Sequence, residues 1–147
     1  DRDMTAPFVM LVDDEVQFVD TMAKRLAARD IETITAFSAE EGLEKLKSHQ
    51  NLDVIVLDVK MPGMDGLDML KKIKSGFFRI EVIMLTGHAT IESGINGMKL
   101  GAYDFLTKPC DVDELVTKIQ EATQKKREHD AKIKDAEQQN LLKKLEV

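Results

Sequence analysis

Four places in the 147-residue sequence put a reactive side chain directly behind a short apolar run. Asp13-Asp14 follows Phe8-Val9-Met10-Leu11-Val12, and Asp58 follows Val54-Ile55-Val56-Leu57. Thr86 follows Val82-Ile83-Met84-Leu85, and Lys108 lies just past Tyr103-Asp104-Phe105-Leu106. A single acid in such a place is usually a loop residue or a helix cap, and Asp14 alone could cap the helix after it. Four strand ends carrying three acids, a threonine and a lysine point to a common site, because open α/β sheets collect function at the carboxyl ends of their strands. Three carboxylates brought within a few ångströms raise one another's pKa and destabilise the empty site. A hard divalent cation relieves that repulsion, and an oxygen-only site with few ligands suits Mg²⁺. A carboxylate beside Mg²⁺ can attack phosphorus and form an acyl phosphate. The metal and a lysine would neutralise the equatorial oxygens during in-line transfer, and a hydroxyl could bond one of them. Neither G-x-x-x-x-G-K-[ST] nor G-x-G-x-x-G occurs, so the phosphoryl donor is not expected to be ATP bound by this domain.

The elements that must position these groups alternate in period. The run 8–12 reads as a strand buried on both faces, and 15–29 as a helix with Phe18, Val19, Met22, Ala23 and Leu26 on one side. Thr33-Ile34-Thr35-Ala36-Phe37 is a second strand. Ser38 and Glu41 have capping-box spacing for the next helix, whose Leu43 and Leu46 face the core. After the third strand, 54–57, Pro62-Gly63 and Asp65-Gly66 punctuate a loop, and a helix follows to about Ser75. The fourth and fifth strands are 82–85 and 103–106, with a helix over 91–100 between them. Strand–helix repeats of this kind imply an open, doubly wound parallel sheet with right-handed crossovers. From Asp111 onward the pattern is helical, with a stripe of Val112, Leu115, Val116, Ile119 and Ala122. Beyond Lys125 the stripe thins to His129, Ile133, Ala136, Leu141, Leu142 and Leu145, and Lys126 and Asn140 fall on the seam. A solvated extension of the last helix is the plainer expectation; a linker or a dimerising helix is the alternative.

Length and charge narrow the class. The chain suits one domain plus a tail: residues 1–123, then a charged helical extension or linker over 124–147. It carries 21 Lys+Arg against 27 Asp+Glu, net −6. Residues 1–110 hold 13 basic and 18 acidic groups, an acidic body that argues against direct nucleic-acid binding. One cysteine, Cys110, excludes an internal disulfide and fits a reducing cytoplasmic setting. No apolar run approaches the ~20 residues of a membrane span. The opening Asp1-Arg2-Asp3, without a Met, suggests that residues are missing ahead of it.

With those residues in place a resemblance emerges. Val12-Asp13-Asp14-Glu15, Leu57-Asp58-Val59-Lys60-Met61-Pro62-Gly63-Met64-Asp65-Gly66, Leu85-Thr86-Gly87 and Gly101-Ala102-Tyr103-Asp104-Phe105-Leu106-Thr107-Lys108-Pro109 are similar to the motifs of bacterial two-component response-regulator receiver domains. The similarity covers roughly residues 7–123, and the last stretch is most like receivers of the enhancer-binding activator type. It implies a flavodoxin-like, five-stranded sheet in the order 2-1-3-4-5 flanked by five helices, the last extended. It implies that Asp58 accepts a phosphoryl group from a phosphohistidine on a sensor histidine kinase. Asp13, Asp14, Asp58 and the backbone carbonyl of Lys60 would hold Mg²⁺. Lys108 would pair with the phosphoryl group, Thr86 would be the switch hydroxyl, and Tyr103 the aromatic that rotates inward behind it. The change would be read on a face built from the fourth helix, fifth strand and fifth helix, by a downstream protein or a fused output domain. Such a protein is a signalling switch that assists its own phosphotransfer and dephosphorylation, not a metabolic enzyme. The family also implies a cis peptide before Pro109.

Some residues have plainer explanations. Cys110 stands where the family usually has a bulky apolar residue, and reads as a small buried thiol ahead of a redox sensor. Gly94 and Gly97 weaken the helix at 91–100 and share a face, so either a neighbour packs closely there or the helix is loose. One of Phe77-Phe78 is core, the other a candidate partner contact; His88 reads as solvated. An aspartyl-phosphate phosphatase would want a second Asp where Lys60 stands, and a flavodoxin-like carrier would find its phosphate repelled by Asp13-Asp14-Glu15.

Overall fold

The computed structural model describes residues 5–146; the opening Asp1-Arg2-Asp3 lies outside them. The chain runs β1 (Phe8–Val12), α1 (Val16–Ala27), β2 (Glu32–Ala36), α2 (Ala39–Ser48), β3 (Val54–Leu57), α3 (Gly66–Gly76), β4 (Glu81–Thr86), α4 (Ile91–Lys99), β5 (Asp104–Thr107) and α5 (Val112–Leu145). All four strand pairings are parallel and the sheet order is β2-β1-β3-β4-β5, as the resemblance implied. Each expected element is present. The main differences are at ends: β2 and β5 are shifted by one residue, β4 is longer at both ends, and α1 stops at Ala27, where the chain turns through Asp30 at φ +63°.

The central strands are buried at every position because both faces are covered, and only Glu81 and Thr86 at the ends of β4 are polar. Val9, Leu11, Val54, Val56, Ile83 and Leu85 face one layer, packed with Val19, Met22 and Leu26 of α1 and Leu115, Ile119 and Ala122 of α5. Met10, Val12, Ile55, Leu57, Val82 and Met84 face the other, with Leu46 of α2 and Met69, Leu70 and Ile73 of α3. The two-residue period of a strand thus sorts one apolar run into two cores. Truncating any of these leucines to alanine would cost about 2–5 kcal/mol.

Ser38 caps α2 by accepting from Glu41 N at 3.1 Å, but the Glu41 carboxylate takes Phe37 N instead of closing a box on Ser38. The reciprocal box forms instead at α4, between Thr90 and Ser93. Gly97 is buried against Phe105, where a Cβ would meet the ring at 3.4 Å, so close packing explains that glycine. Phe77 packs on the core, while Phe78 is 55% exposed and sits edge-on to His129.

The last helix is one continuous element of 34 residues. Its contacts with the body run past residue 123. Arg127 donates to both carboxylate oxygens of Asp53 at 3.2 and 3.1 Å and to the carbonyls of Thr5 and Ala6. Lys126, expected on a helix seam, is folded back onto Asp53 and Asp130 with its side chain 12% exposed. Leu141, Leu142 and Leu145 further along are exposed. No helix among the described residues is long and apolar enough to cross a membrane.

Candidate functional site

Backbone hydrogen bonds carry the sheet one residue past its strands and so fix the acids. Asp13 N donates to the Ala36 carbonyl at 3.1 Å and Asp58 N to the Val12 carbonyl at 3.0 Å. Lys108 N donates to the Thr86 carbonyl at 2.9 Å, just before a cis Lys108–Pro109 peptide. The result matches the convergence expected from the strand ends. One carboxylate oxygen from each of Asp13, Asp14 and Asp58 lies within 4.8 Å of the others. Asp13 and Asp58 are buried and Asp14 is exposed, so the cluster opens to solvent on one side.

Lys108 is the cation set against this charge. Its ammonium donates to Asp13 Oδ2 at 2.6 Å and to Glu15 Oε1 at 3.0 Å, stands 3.9 Å from Asp58 Oδ2, and lies 4.1 Å over the Phe18 ring. Burial pulls the lysine down, but the bonds to Asp13 and Glu15 outweigh it and hold its pKa above the ordinary value. Asp13 also sits above the ordinary carboxylate range, because burial and the neighbouring Asp58 outweigh Lys108 and the Glu15 backbone amide. One ammonium faces Asp13, Asp14, Asp58 and Glu15, so the acids of the cluster outnumber its cation. The other Asp58 oxygen, Oδ1, is buried and has no hydrogen-bond partner among the described residues. An orphaned buried carboxylate oxygen between two other acids is costly unless something positive meets it. Oxygen-only donors in this number fit a small divalent ion that keeps several waters.

Thr86 is buried at the end of β4, its hydroxyl accepting from His88 N at 3.0 Å, while the His88 side chain is solvated as expected. Tyr103 stands away from the acids: its phenol donates to Glu121 Oε2 at 3.4 Å and Lys125 lies 5.5 Å over its ring. Partial burial and Glu121 push the phenol's pKa up. Lys60 is exposed in the loop after Asp58. Cys110 is half-buried, less enclosed than expected, and burial with Glu114 and Asp111 raises its thiol pKa, which disfavours the reactive thiolate.

The supporting roles of four residues escaped the sequence reading. Glu15 and Phe18 flank Lys108, and only their places on the first turn of α1 hinted at it. Gly66 looked like punctuation, yet a Cβ there would fall 1.9 Å from the Asp58 carbonyl oxygen, and its own N–H donates to Val59 O at 2.7 Å. Glu40 of α2 accepts from Met64 N, pinning the same loop beside Gly63, whose φ is +77°.

The chain matches the family described as "Response regulator receiver domain" over residues 9–120. It is 35% identical over 119 residues to the DNA-binding transcriptional regulator NtrC of Escherichia coli K12, covering 81% of this chain and 25% of that one. It is 36% identical over 126 residues to a putative NtrX-like response regulator of Rickettsia conorii, covering 82% and 26%. The chain therefore spans about a quarter of the length of these relatives. Among solved structures, a receiver domain from Clostridium thermocellum superposes with a TM-score of 0.79 at 34% identity, covering 82% of this chain and 97% of that one. The receiver domain of NtrX from Brucella abortus gives 0.74 at 34% identity, covering 79% and 98%. Relatives whose receiver portions align end to end with this sheet leave a single assignment: the chain belongs to the response regulator receiver domain family, the phosphorylation-responsive domains of two-component systems.

Proposed function

We propose that Asp58 is the phosphoacceptor of a switch served by a sensor histidine kinase. The observation that carries this is the buried, unpartnered Oδ1 of Asp58, set among two further acids with a lysine 3.9 Å from its other oxygen. Asp13, Asp14, Asp58 and the carbonyl of Lys60 would hold Mg²⁺, which supplies charge neutralisation on the transferring phosphoryl group. An Asp58 oxygen forms the new bond to phosphorus as the bond to the leaving group breaks, and the leaving group departs with the electron pair. Lys108 turns from Glu15 toward the phosphoryl oxygens. Thr86 gives up its bond from His88 N and donates its hydroxyl to another of those oxygens.

Withdrawal of Thr86 leaves room behind it, and Tyr103 moves inward, releasing Glu121 and Lys125 of α5. The face of α4, β5 and α5 then changes shape, with Ile91, Ile95 and Met98 exposed along α4 as its apolar contacts. That face would address a downstream protein or an output domain of a longer chain.

The test is intact mass after incubation with acetyl phosphate and Mg²⁺, for wild type beside Asp58→Asn. One phosphoryl adduct on the wild type alone, lost on chelation, is the expected result. Equal labelling of both proteins would place the phosphoryl group elsewhere and end the assignment.

A further inference from the structure

Glu15 makes a contact that its place in the fold does not call for. It is the N-cap residue of α1, yet its side chain forms no capping hydrogen bond and reaches instead to Lys108 Nζ at 3.0 Å. The lysine side chain is 12% exposed and the glutamate side chain 58%. Lys108 thus divides two of its three N–H groups between Asp13 and Glu15, with the Phe18 ring closing off another direction. At 3.9 Å from Asp58 Oδ2 the ammonium is about an ångström beyond charge-assisted hydrogen-bond distance. One N–H remains for a phosphoryl group on Asp58, and turning the ammonium further toward that group loosens one of its two present acceptors. Asp13 is the worse one to abandon: it is buried, and its second oxygen is already held by Glu15 N at 2.9 Å. Glu15 faces solvent, so water replaces the lysine at little cost.

We propose that Glu15 is a positioning residue that holds the Lys108 ammonium back from Asp58, so that part of the barrier to phosphoryl transfer is the release of this contact. The inference rests on Asp58 being the phosphoacceptor and adds a residue that tunes its rate. Glu15→Gln removes the charge and weakens the hold. Because an exposed ion pair is worth up to about 1 kcal/mol, the maximal rate of adduct formation should rise about two- to fivefold. Glu15→Asp keeps the charge and loses the reach, so it should resemble Glu15→Gln.

The experiment measures adduct formation against acetyl phosphate concentration at saturating Mg²⁺ for wild type, Glu15→Gln and Glu15→Asp. Glu15→Gln is also placed in a Lys108→Ala background, where its effect should vanish. The ammonium NMR signal of Lys108, displaced by the Phe18 ring, should shift in both single variants without any phosphoryl donor. A change in half-saturation alone, with Glu15→Asp matching wild type, would mean that only the general negative field matters, and would overturn the proposal. So would unchanged rates together with an unmoved lysine signal. A wild type that takes no adduct at Asp58 would instead sink the phosphoacceptor reading, and this inference with it.

Discussion

The two ends of the sheet hold buried carboxylates of the same kind and treat them in opposite ways. At the amino ends of the strands, Asp53 accepts from Phe8 N, from two nitrogens of Arg127, and has Lys126 at 3.7 Å. Nearby, Glu81 has the ammonium of Lys74 3.2 Å from Oε1 and that of Lys125 3.1 Å from Oε2, so its charge is paired although Oε2 accepts no hydrogen bond. At the carboxyl ends, Asp13, Asp14 and Asp58 cluster beside one lysine, which bonds Asp13 and stands 3.9 Å from Asp58, and an Asp58 oxygen has no hydrogen-bond partner among the described residues. A satisfied buried charge holds the chain together; an unsatisfied one stores a demand for a cation. Removing one partner of a satisfied pair leaves an uncompensated charge, whereas removing one of several repelling acids relieves strain. The same substitution chemistry therefore has opposite consequences at the two ends.

The sharpest test exchanges the ends. Asp58→Asn should abolish the adduct in intact mass while leaving the urea midpoint equal to or above that of wild type. A clear loss of stability in that variant would break the contrast. Ending the chain after Thr123 removes Lys125, Lys126 and Arg127, and should cost about 3–5 kcal/mol in urea unfolding. An undiminished midpoint would support 123 as the domain boundary. Asp53→Ala should cost about 2–3 kcal/mol, discounted because Arg127 is 38% exposed and can rehydrate, and should still form the adduct.

Two smaller effects separate the charge states. Mg²⁺ at about ten times its dissociation constant should add about 1.4 kcal/mol to the wild type and less to Asp58→Asn. Under chelation, Asp13 sets a pH dependence of known sign. Its folded pKa lies above its ordinary 3.8, so the folded state binds the proton more tightly than the unfolded chain does. The burden of its charge is full above the folded pKa and is relieved as pH falls through that value toward 3.8. Comparing urea midpoints of wild type and Asp13→Asn across this window should show the difference shrinking as pH falls; a growing difference would reverse the assignment.

The carboxyl end was legible because its signals are local. Asp13, Asp14, Asp58, Thr86 and Lys108 stand at or just past the ends of strands that announce themselves by apolar content, and parallel pairing of neighbouring strands does the rest. The amino end was not, because Asp53 and Arg127 are 74 positions apart and neither stands in a recognisable pattern. Lys126 even misled: a lysine on a helix seam looked like solvated tail, when its aliphatic stem and ammonium are folded onto the body. Glu15 was hidden differently. Its acidity was visible beside Asp13-Asp14, but which cation it would meet depends on where Lys108, 93 residues away, comes to rest.

Gly66 carries a consequence for comparing this chain with others. Its missing side chain is the gap into which the Asp58 carbonyl fits. The eight-residue step from Asp58 to Gly66 is therefore a ruler: it fixes how much chain can leave the strand and return to start the next helix. A homologue with any other residue at the sixty-sixth position, or with one residue more or less between the two, must route this loop differently. An aspartate matched at the strand end in such a sequence does not inherit the geometry, and alignment by the acid alone would transfer a site that the backbone cannot build.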